Sequence, residues 1–412
     1  MDSLLEKFSK LGCDNAPGQE GRQKAAVLDL RGEKLEGRLV DFSHGDVDAH
    51  PPIPGTLSDF VTGVEKIGGH QAYTEYRGNG GIRSELAEKI SAFTGSAIDP
   101  DQNIILTPGT QGALFLAVGA NMVAGDKVAI VEPDYFANRK LVEFFGGEMV
   151  PVQMDYENAQ DCAGLDLTQL EKAFQDGAKL FLFSNPNNPT GVIYSDAEIS
   201  RIAALAKQYG ATLIVDELYS RQVFDNRTYT HLCAKEERPE NLITIIGPSK
   251  TESLSGYRLG VAFGTAAIIE RMEKLQAIVS LRAPGYCQAA FHSWFAEPAG
   301  WMEERIAAHQ DIRDSLLAKL RACPGVSART TEAGSYLFPK LPPLDIPVSD
   351  FIKVLRVHAN VIVTPGTEFG PQFTDSFRIN FSQDHDAAVA AVERIGQMIE
   401  RYRAPKESEV KA

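Results

Sequence analysis

Between Asn103 and about Gly264 the chain alternates strand-length apolar runs with segments of helical spacing, and no other feature limits its fold so narrowly. Ile104–Thr107, Val128–Val131, Lys179–Phe183, Leu213–Val215 and Leu242–Ile246 are aliphatic, β-branched or aromatic with little interruption. A strand solvated on one face would alternate with polar residues, whereas a continuous run needs cover on both faces. Among these runs, Gly112–Val123 is small and apolar, as a packed helix requires. Asp196–Gln208 sets Ile199, Ile202, Ala203 and Leu205 on one side of a helix. The pattern predicts an α/β large domain, residues 50–290, with a mostly parallel sheet covered by helices on both faces.

The character changes after about Gly285. Glu297–Arg321 reads as a long charged helix interrupted near its start by Gly300. Short strands at Ser335–Phe338, Val361–Val363 and Phe377–Phe381 follow, with helices at Ser349–Val357 and His385–Arg401. We expect a smaller α+β domain made of residues 291–412, with residues 1–49 packed on it. The 412 residues suit two such domains, at roughly 100–200 residues each.

In sheets of this kind ligands bind beyond the C-terminal ends of the strands. The residues after each run therefore carry the functional reading. Thr107-Pro-Gly-Thr-Gln-Gly opens a helix. Gly109 permits a tight turn, and Thr110 and Gln111 sit where free N–H groups and the helix dipole favour an anion; a plain helix cap would use the same residues. Ser184-Asn-Pro-Asn-Asn-Pro-Thr-Gly191 is a turn stiffened by two X-Pro steps, which can aim an asparagine amide at a ligand. In Val215-Asp216-Glu217-Leu218-Tyr219 a carboxylate leaves a buried strand, at a cost unless it is paired. Asp216 either caps a helix or faces a cationic ring. In the segment Gly247–Gly260, Lys250 follows a hydroxyl and precedes Arg258 by eight positions. That pattern suits phosphate plus amine chemistry better than a solvated lysine does.

These four segments, in this order and at this spacing, resemble the class I/II aminotransferases, the fold-type I enzymes that use pyridoxal 5'-phosphate. The resemblance runs from about Gly45 to Phe381. It implies that Lys250 carries the cofactor through its side-chain amine and then moves the proton at the substrate Cα. It implies that Asp216 pairs with the pyridine nitrogen, that Tyr219 and Asn188 hydrogen-bond the phenolic oxygen, and that Tyr135 stacks on the ring. Gly109, Thr110, Gln111, Ser249 and Arg258 would hold the phosphate, the arginine through its planar fork. Tyr76, in Tyr73-Thr-Glu-Tyr-Arg, would reach a phosphate in the neighbouring subunit, which implies a homodimer. Arg378 would clamp the substrate α-carboxylate, Gly45 would let the backbone approach it, and Tyr336 would line the side-chain pocket, with Asn188 also near the substrate.

Two residues depart from the pattern or stand beside it. Arg282, in Ser280-Leu-Arg-Ala-Pro284, contacts an anionic substrate group or the partner's cofactor phosphate, or else is a surface arginine. His44 adjoins Gly45 and either faces the substrate or only packs. The partner-subunit arginine that reads the second carboxylate in animal-type aspartate aminotransferases has no convincing counterpart, so the amino acid used is left open.

Charge and cysteine content narrow the remaining classes. A formal net charge of −14 opposes binding to nucleic acid or an anionic membrane, while leaving room for a locally basic pocket. The five cysteines are scattered with no C-x-x-C pair, which argues against a disulfide framework or a zinc site and suits a reducing cytoplasm. The N-terminal MDSLLEKFSK lacks a long apolar core, and no apolar run approaches the roughly 20 residues that span a bilayer. The expectation is a cytoplasmic, homodimeric pyridoxal-phosphate aminotransferase, without metal, acting on small amino and 2-oxo acids. A lyase, a β/γ-substitution enzyme of the aminocyclopropane-carboxylate synthase or C–S lyase type, or an oxidase would share the same cofactor residues. A cofactor-binding regulator would need a DNA-binding domain, for which the first 40 or so residues are too few and too acidic.

Overall fold

The computed structural model describes residues 3–12, 28–44, 50–68 and 73–405. After a two-residue strand β1 (Val40–Asp41), seven strands build the main sheet. They are β2 (Ile104–Pro108), β3 (Lys127–Glu132), β4 (Glu148–Gln153), β5 (Ala178–Ser184), β6 (Thr212–Asp216), β7 (Leu242–Ile246) and β8 (Leu259–Gly264). Their spatial order is β2-β8-β7-β6-β5-β3-β4. Neighbours are parallel except at β8, which runs antiparallel to both β7 and β2.

The apolar runs are continuous because alternate residues enter different cores. Ile105, Ile130, Leu182, Ile214 and Ile245 pack with Ala113, Leu116 and Met272 of helices Gly109–Asn121 and Ala266–Val279. Leu106, Val131, Phe181, Leu213 and Val215 pack with Ile199 and Ile202 of helix Asp196–Tyr209 on the other side. Each fully buried side chain of this size contributes about 1.5–3 kcal/mol as an upper estimate. Both faces of the sheet are covered, as the composition of the strands requires.

Three local features differ from the sequence-based expectation. Strand β4 lies at the sheet edge and is mostly exposed; Pro151 within it has no N–H to donate, which only an edge position tolerates. Helix Gly109–Asn121 starts three residues before its apolar stretch, because its first turn is turned toward a cavity instead of a core. Gly300 does not interrupt the long helix; it precedes Trp301–Ala322 as the left-handed N-cap residue, with φ +83°.

A second core belongs to the C-terminal part. Strands β9 (Tyr336–Leu337), β10 (Val361–Ile362), β11 (Thr364–Pro365) and β12 (Phe377–Asn380) follow in the chain. They form an antiparallel sheet in the order β11-β12-β9, while β10 pairs in parallel with β1. Helices Trp301–Ala322, Val348–Ala359 and His385–Tyr402 supply Leu316, Phe351, Leu355, Ile395 and Ile399 to this core, and Val40 and Phe42 join it from the N-terminal side. Among the described residues no helix is long and apolar enough to cross a membrane.

Candidate active site

Strand register decides which side chains meet. Ser184 lies opposite Asp216, and Asp216 opposite Ile245, so the ends of β5, β6 and β7 form one row. Because β8 is antiparallel, its first residue, Leu259, pairs with Pro108 at the end of β2. Arg258 therefore starts where the other strands finish. A cavity of about 260 Å3 lies over this rim, closed from the other side by Ser43, His44, Tyr336 and Arg378. Thr110, Gln111, Tyr135, Asn188, Asp216, Tyr219, Ser249, Lys250 and Arg258 all line it.

One end of the cavity is built for an anion. Helix Gly109–Asn121 begins at Pro108 without a side-chain cap, so its first N–H groups remain available. The Arg258 guanidinium crosses the same helix start: a β-carbon on Gly109, whose φ is +76°, would lie 2.3 Å from Arg258 Nη2. Ser249 Oγ donates to the Leu259 carbonyl at 3.3 Å. Tyr135 donates its hydroxyl to Gln111 Oε1 at 3.0 Å, which ties the aromatic wall to this cradle.

The floor carries a carboxyl group and an amine. Burial pushes the Asp216 carboxyl up to about 6; the Leu218 N–H pulls it down and the neighbouring Glu217 charge adds to the rise. No cationic side chain pairs with it among the described residues; its Oδ1 accepts only the Leu218 N–H at 3.1 Å. The Lys250 amine faces the cavity with no hydrogen bond or ion pair among the described residues. An amine without a partner is free to act as a nucleophile or a proton carrier.

The far wall carries a buried positive charge. Arg378 is 2% exposed. Its Nη1 donates to Asn188 Oδ1 at 3.1 Å and its Nη2 to the Ser43 carbonyl, while Nε finds no partner among the described residues. Its guanidinium carbon stands 4.4 Å from the Tyr336 ring centroid and 4.9 Å from that of Phe369. No carboxylate pairs with this guanidinium among the described residues. A buried cation in that state is set to receive an anionic group from outside. Tyr336 also shares a short hydroxyl contact with Tyr219, their rings edge to face at 5.4 Å. Burial, then Tyr336, holds the Tyr219 hydroxyl well above the usual tyrosine range.

Two candidates stand outside this cavity. Tyr76 is 42% exposed and Arg282 stacks on it, with the guanidinium carbon 4.9 Å from the Tyr76 ring and 4.4 Å from the Tyr73 ring. Neither Tyr76 nor Arg282 lines the cavity of its own chain. Gly45 lies outside the described residues. His44 is at the cavity mouth beside Asp41, Nδ1 to Oδ2 3.6 Å.

Sequence reasoning passed over Asp134 and Ser184. Asp134 is 1% exposed and accepts the N–H groups of Ser184 at 3.0 Å and Tyr135 at 2.6 Å, with a short contact to Ser184 Oγ. Ser184 Oγ in turn accepts the Asn188 N–H at 3.1 Å. Burial pushes the Asp134 carboxyl up to about 8 against these hydrogen bonds, with Asp216 adding to the rise. The rule that singled out Asp216, an acid just past a buried strand, also applies to Asp134 after β3.

An amine, an acid, an anion cradle and a buried guanidinium around one cavity fit pyridoxal phosphate and an amino-acid carboxylate. The sequence model of the family described as aminotransferase class I and II matches residues 40–395. The chain belongs to this family. The aspartate aminotransferase of Musicola paradisiaca is 27% identical over 412 residues, 99% of this chain and 100% of that one. The crystal structure of an aspartate aminotransferase from Rhodobacter sphaeroides is 62% identical, with a TM-score of 0.92, covering 98% of this chain and 100% of that one. An aromatic aminotransferase from Pyrococcus horikoshii, 24% identical over 88% of this chain and 96% of its own, shares the fold at a TM-score of 0.81. This aminotransferase is therefore a pyridoxal-phosphate-dependent transferase of amino groups. The lyase, substitution and oxidase alternatives gain no support from these relatives.

Proposed function

We propose that this aminotransferase moves the amino group of a dicarboxylic, aspartate-type donor to a 2-oxo acid, in a cytoplasmic homodimer whose two active sites each borrow residues from the other subunit. The observation that carries the reading is the Lys250 amine, unpaired among the described residues, sharing a cavity with the buried guanidinium of Arg378, which meets no carboxylate among them. Relatives named as aspartate aminotransferases support the donor class.

Each residue has a task that its surroundings suit. Arg258, Thr110, Gln111 and Ser249, with the close approach at Gly109, hold the phosphate. Tyr135 covers the ring, and Asp216 keeps a negative charge against the ring nitrogen. Bound pyridoxal phosphate supplies an electron-withdrawing ring that acidifies the substrate Cα–H. Lys250 takes that proton and returns it, while Tyr219 and the Asn188 amide hydrogen-bond the phenolic oxygen. Arg378 holds the α-carboxylate with a planar fork, and Tyr336 bounds the substrate side chain. We assign Gly45 to the same carboxylate, and Tyr76 and Arg282 to the partner's cavity. The chain divides into residues 50–290, which carry the cofactor, and 1–49 with 291–412, which close over it.

Borohydride reduction of the cofactor-loaded enzyme, followed by peptide mapping, should label Lys250. Mixing with aspartate alone should convert the cofactor stoichiometrically to its amine form, and the full reaction should be ping-pong. Label on another lysine, or turnover of aspartate without that conversion, would discard the reading.

A further inference from the structure

Beside the cavity two loops meet through a buried ion pair that none of the roles above uses. Arg221 stands two positions after Tyr219, and Glu252 two positions after Lys250. Arg221 Nη1 lies 2.6 Å from Glu252 Oε1, and Nη2 binds Glu297. The guanidinium carbon sits 4.0 Å from the centroid of the Phe295 ring. Glu252 is 1% exposed. The Lys250 loop is held independently by Arg305, whose Nη1 donates to the Thr251 carbonyl at 3.3 Å and to Ser253 Oγ at 2.9 Å.

A buried ion pair is a poor source of net stability. The loss of hydration on both charges offsets their attraction, and apolar residues of equal volume often do as well. What the pair adds is direction. A guanidinium bound by two carboxylates and stacked on a ring has little freedom to turn. The place of Glu252 then follows from that of Arg221, and Arg221 and Arg305 together set the backbone next to Lys250. Burial pushes the Glu252 carboxyl up and Arg221 draws it back, so removing Arg221 leaves Glu252 without its counter-charge, whereas removing Glu252 leaves Arg221 held by Glu297 alone.

We propose that Arg221 is a positioning residue for amino transfer, setting through Glu252 the spacing between the Tyr219 hydroxyl and the Lys250 amine. The proposal rests on the roles assigned above to Lys250 and Tyr219. In the loaded enzyme, spacing between those groups governs the pH at which the cofactor's absorbance changes, because the hydroxyl stabilises one protonation state.

The test uses the full chain with Arg221→Met, Arg221→Lys and Glu252→Gln. Arg221→Met and Glu252→Gln should shift the midpoint of the absorbance titration by about half a pH unit. They should lower kcat about ten-fold with KM within about two-fold, a modest part of the loss a misplaced catalytic group can cause. Arg221→Lys should recover part of both. In the cofactor-free protein, amide hydrogen exchange should rise across 219–222 and 250–254. Wild-type midpoint, kcat and exchange in a folded Glu252→Gln, the near-isosteric change, would overturn the proposal even if Arg221→Met failed to fold. Borohydride label on a lysine other than Lys250 in the wild type would overturn the functional reading and this proposal together; label on Lys250 with unmoved midpoints overturns this proposal alone.

Discussion

At the scale of single residues, Lys250, Asp216 and Arg378 each lack a counter-charge among the described residues. Asp216 shows this in its proton affinity. Burial raises its carboxyl to about 6, above the roughly 3.9 of an exposed aspartate. The folded, cofactor-free protein therefore holds this proton more tightly than the unfolded chain, and this group's contribution to stability falls as pH rises from about 4 to about 6. Asp216→Asn removes the effect. Without cofactor the variant should melt above the wild type at pH 7, with the gap closing toward pH 4. With cofactor the order should reverse, since only the ionised carboxylate pairs with a cationic ring. Thermal melts of both proteins with and without cofactor read this directly, and a gap independent of pH would contradict it.

At the scale of elements, what could be read from the chain depended on how each element meets its environment. Strands β2, β3, β5, β6 and β7 were legible because burial on both faces leaves an unbroken apolar run. Strand β4 was not, because an edge strand with Glu148 and Pro151 carries no such signal. Asp134 was passed over because its neighbour Tyr135 drew the aromatic assignment. The anion cradle was legible as a turn, but the Gly109–Arg258 contact depends on an antiparallel pairing that no local pattern announces. Another such joint links His50, on the segment entering helix Thr56–Thr62, to His309 of helix Trp301–Ala322. Their rings stack at 4.2 Å. Burial, then Arg305, lowers His50 to about 4; burial, then His50, lowers His309 to about 3. Exposed histidine titrates near 6.5, so the folded state binds fewer protons than the unfolded chain below that point. Stability from this pair is present above about pH 6.5 and is lost as pH falls toward 4. His309→Gln should flatten the acid limb of the melting-temperature profile, and an unchanged slope would exclude the pair as its source.

At the scale of the whole molecule, Tyr76 and Arg282 occupy a face that their own cavity does not use, next to exposed Ile278 and Val279. If they serve a second copy, defects on different chains should complement. Lys250→Ala and Arg282→Met mixed under subunit exchange should form hybrids with one cavity intact on both counts, and activity toward aspartate should exceed that of either parent. Arg282→Met alone should reduce kcat/KM for acidic donors more than for neutral ones. No gain on mixing, with exchange verified by mass, would confine Arg282 to a structural role. Strand β8 also constrains how this protein could be lengthened. Since it runs against its neighbours, the chain leaves the rim at Ile246 and returns to it at Leu259, holding an amine and a guanidinium on one short arch. Extra residues inserted in that arch would pull the two charges out of step, whereas the exposed turn at 236–238, on the opposite rim, offers a splice point that the chemistry would not feel.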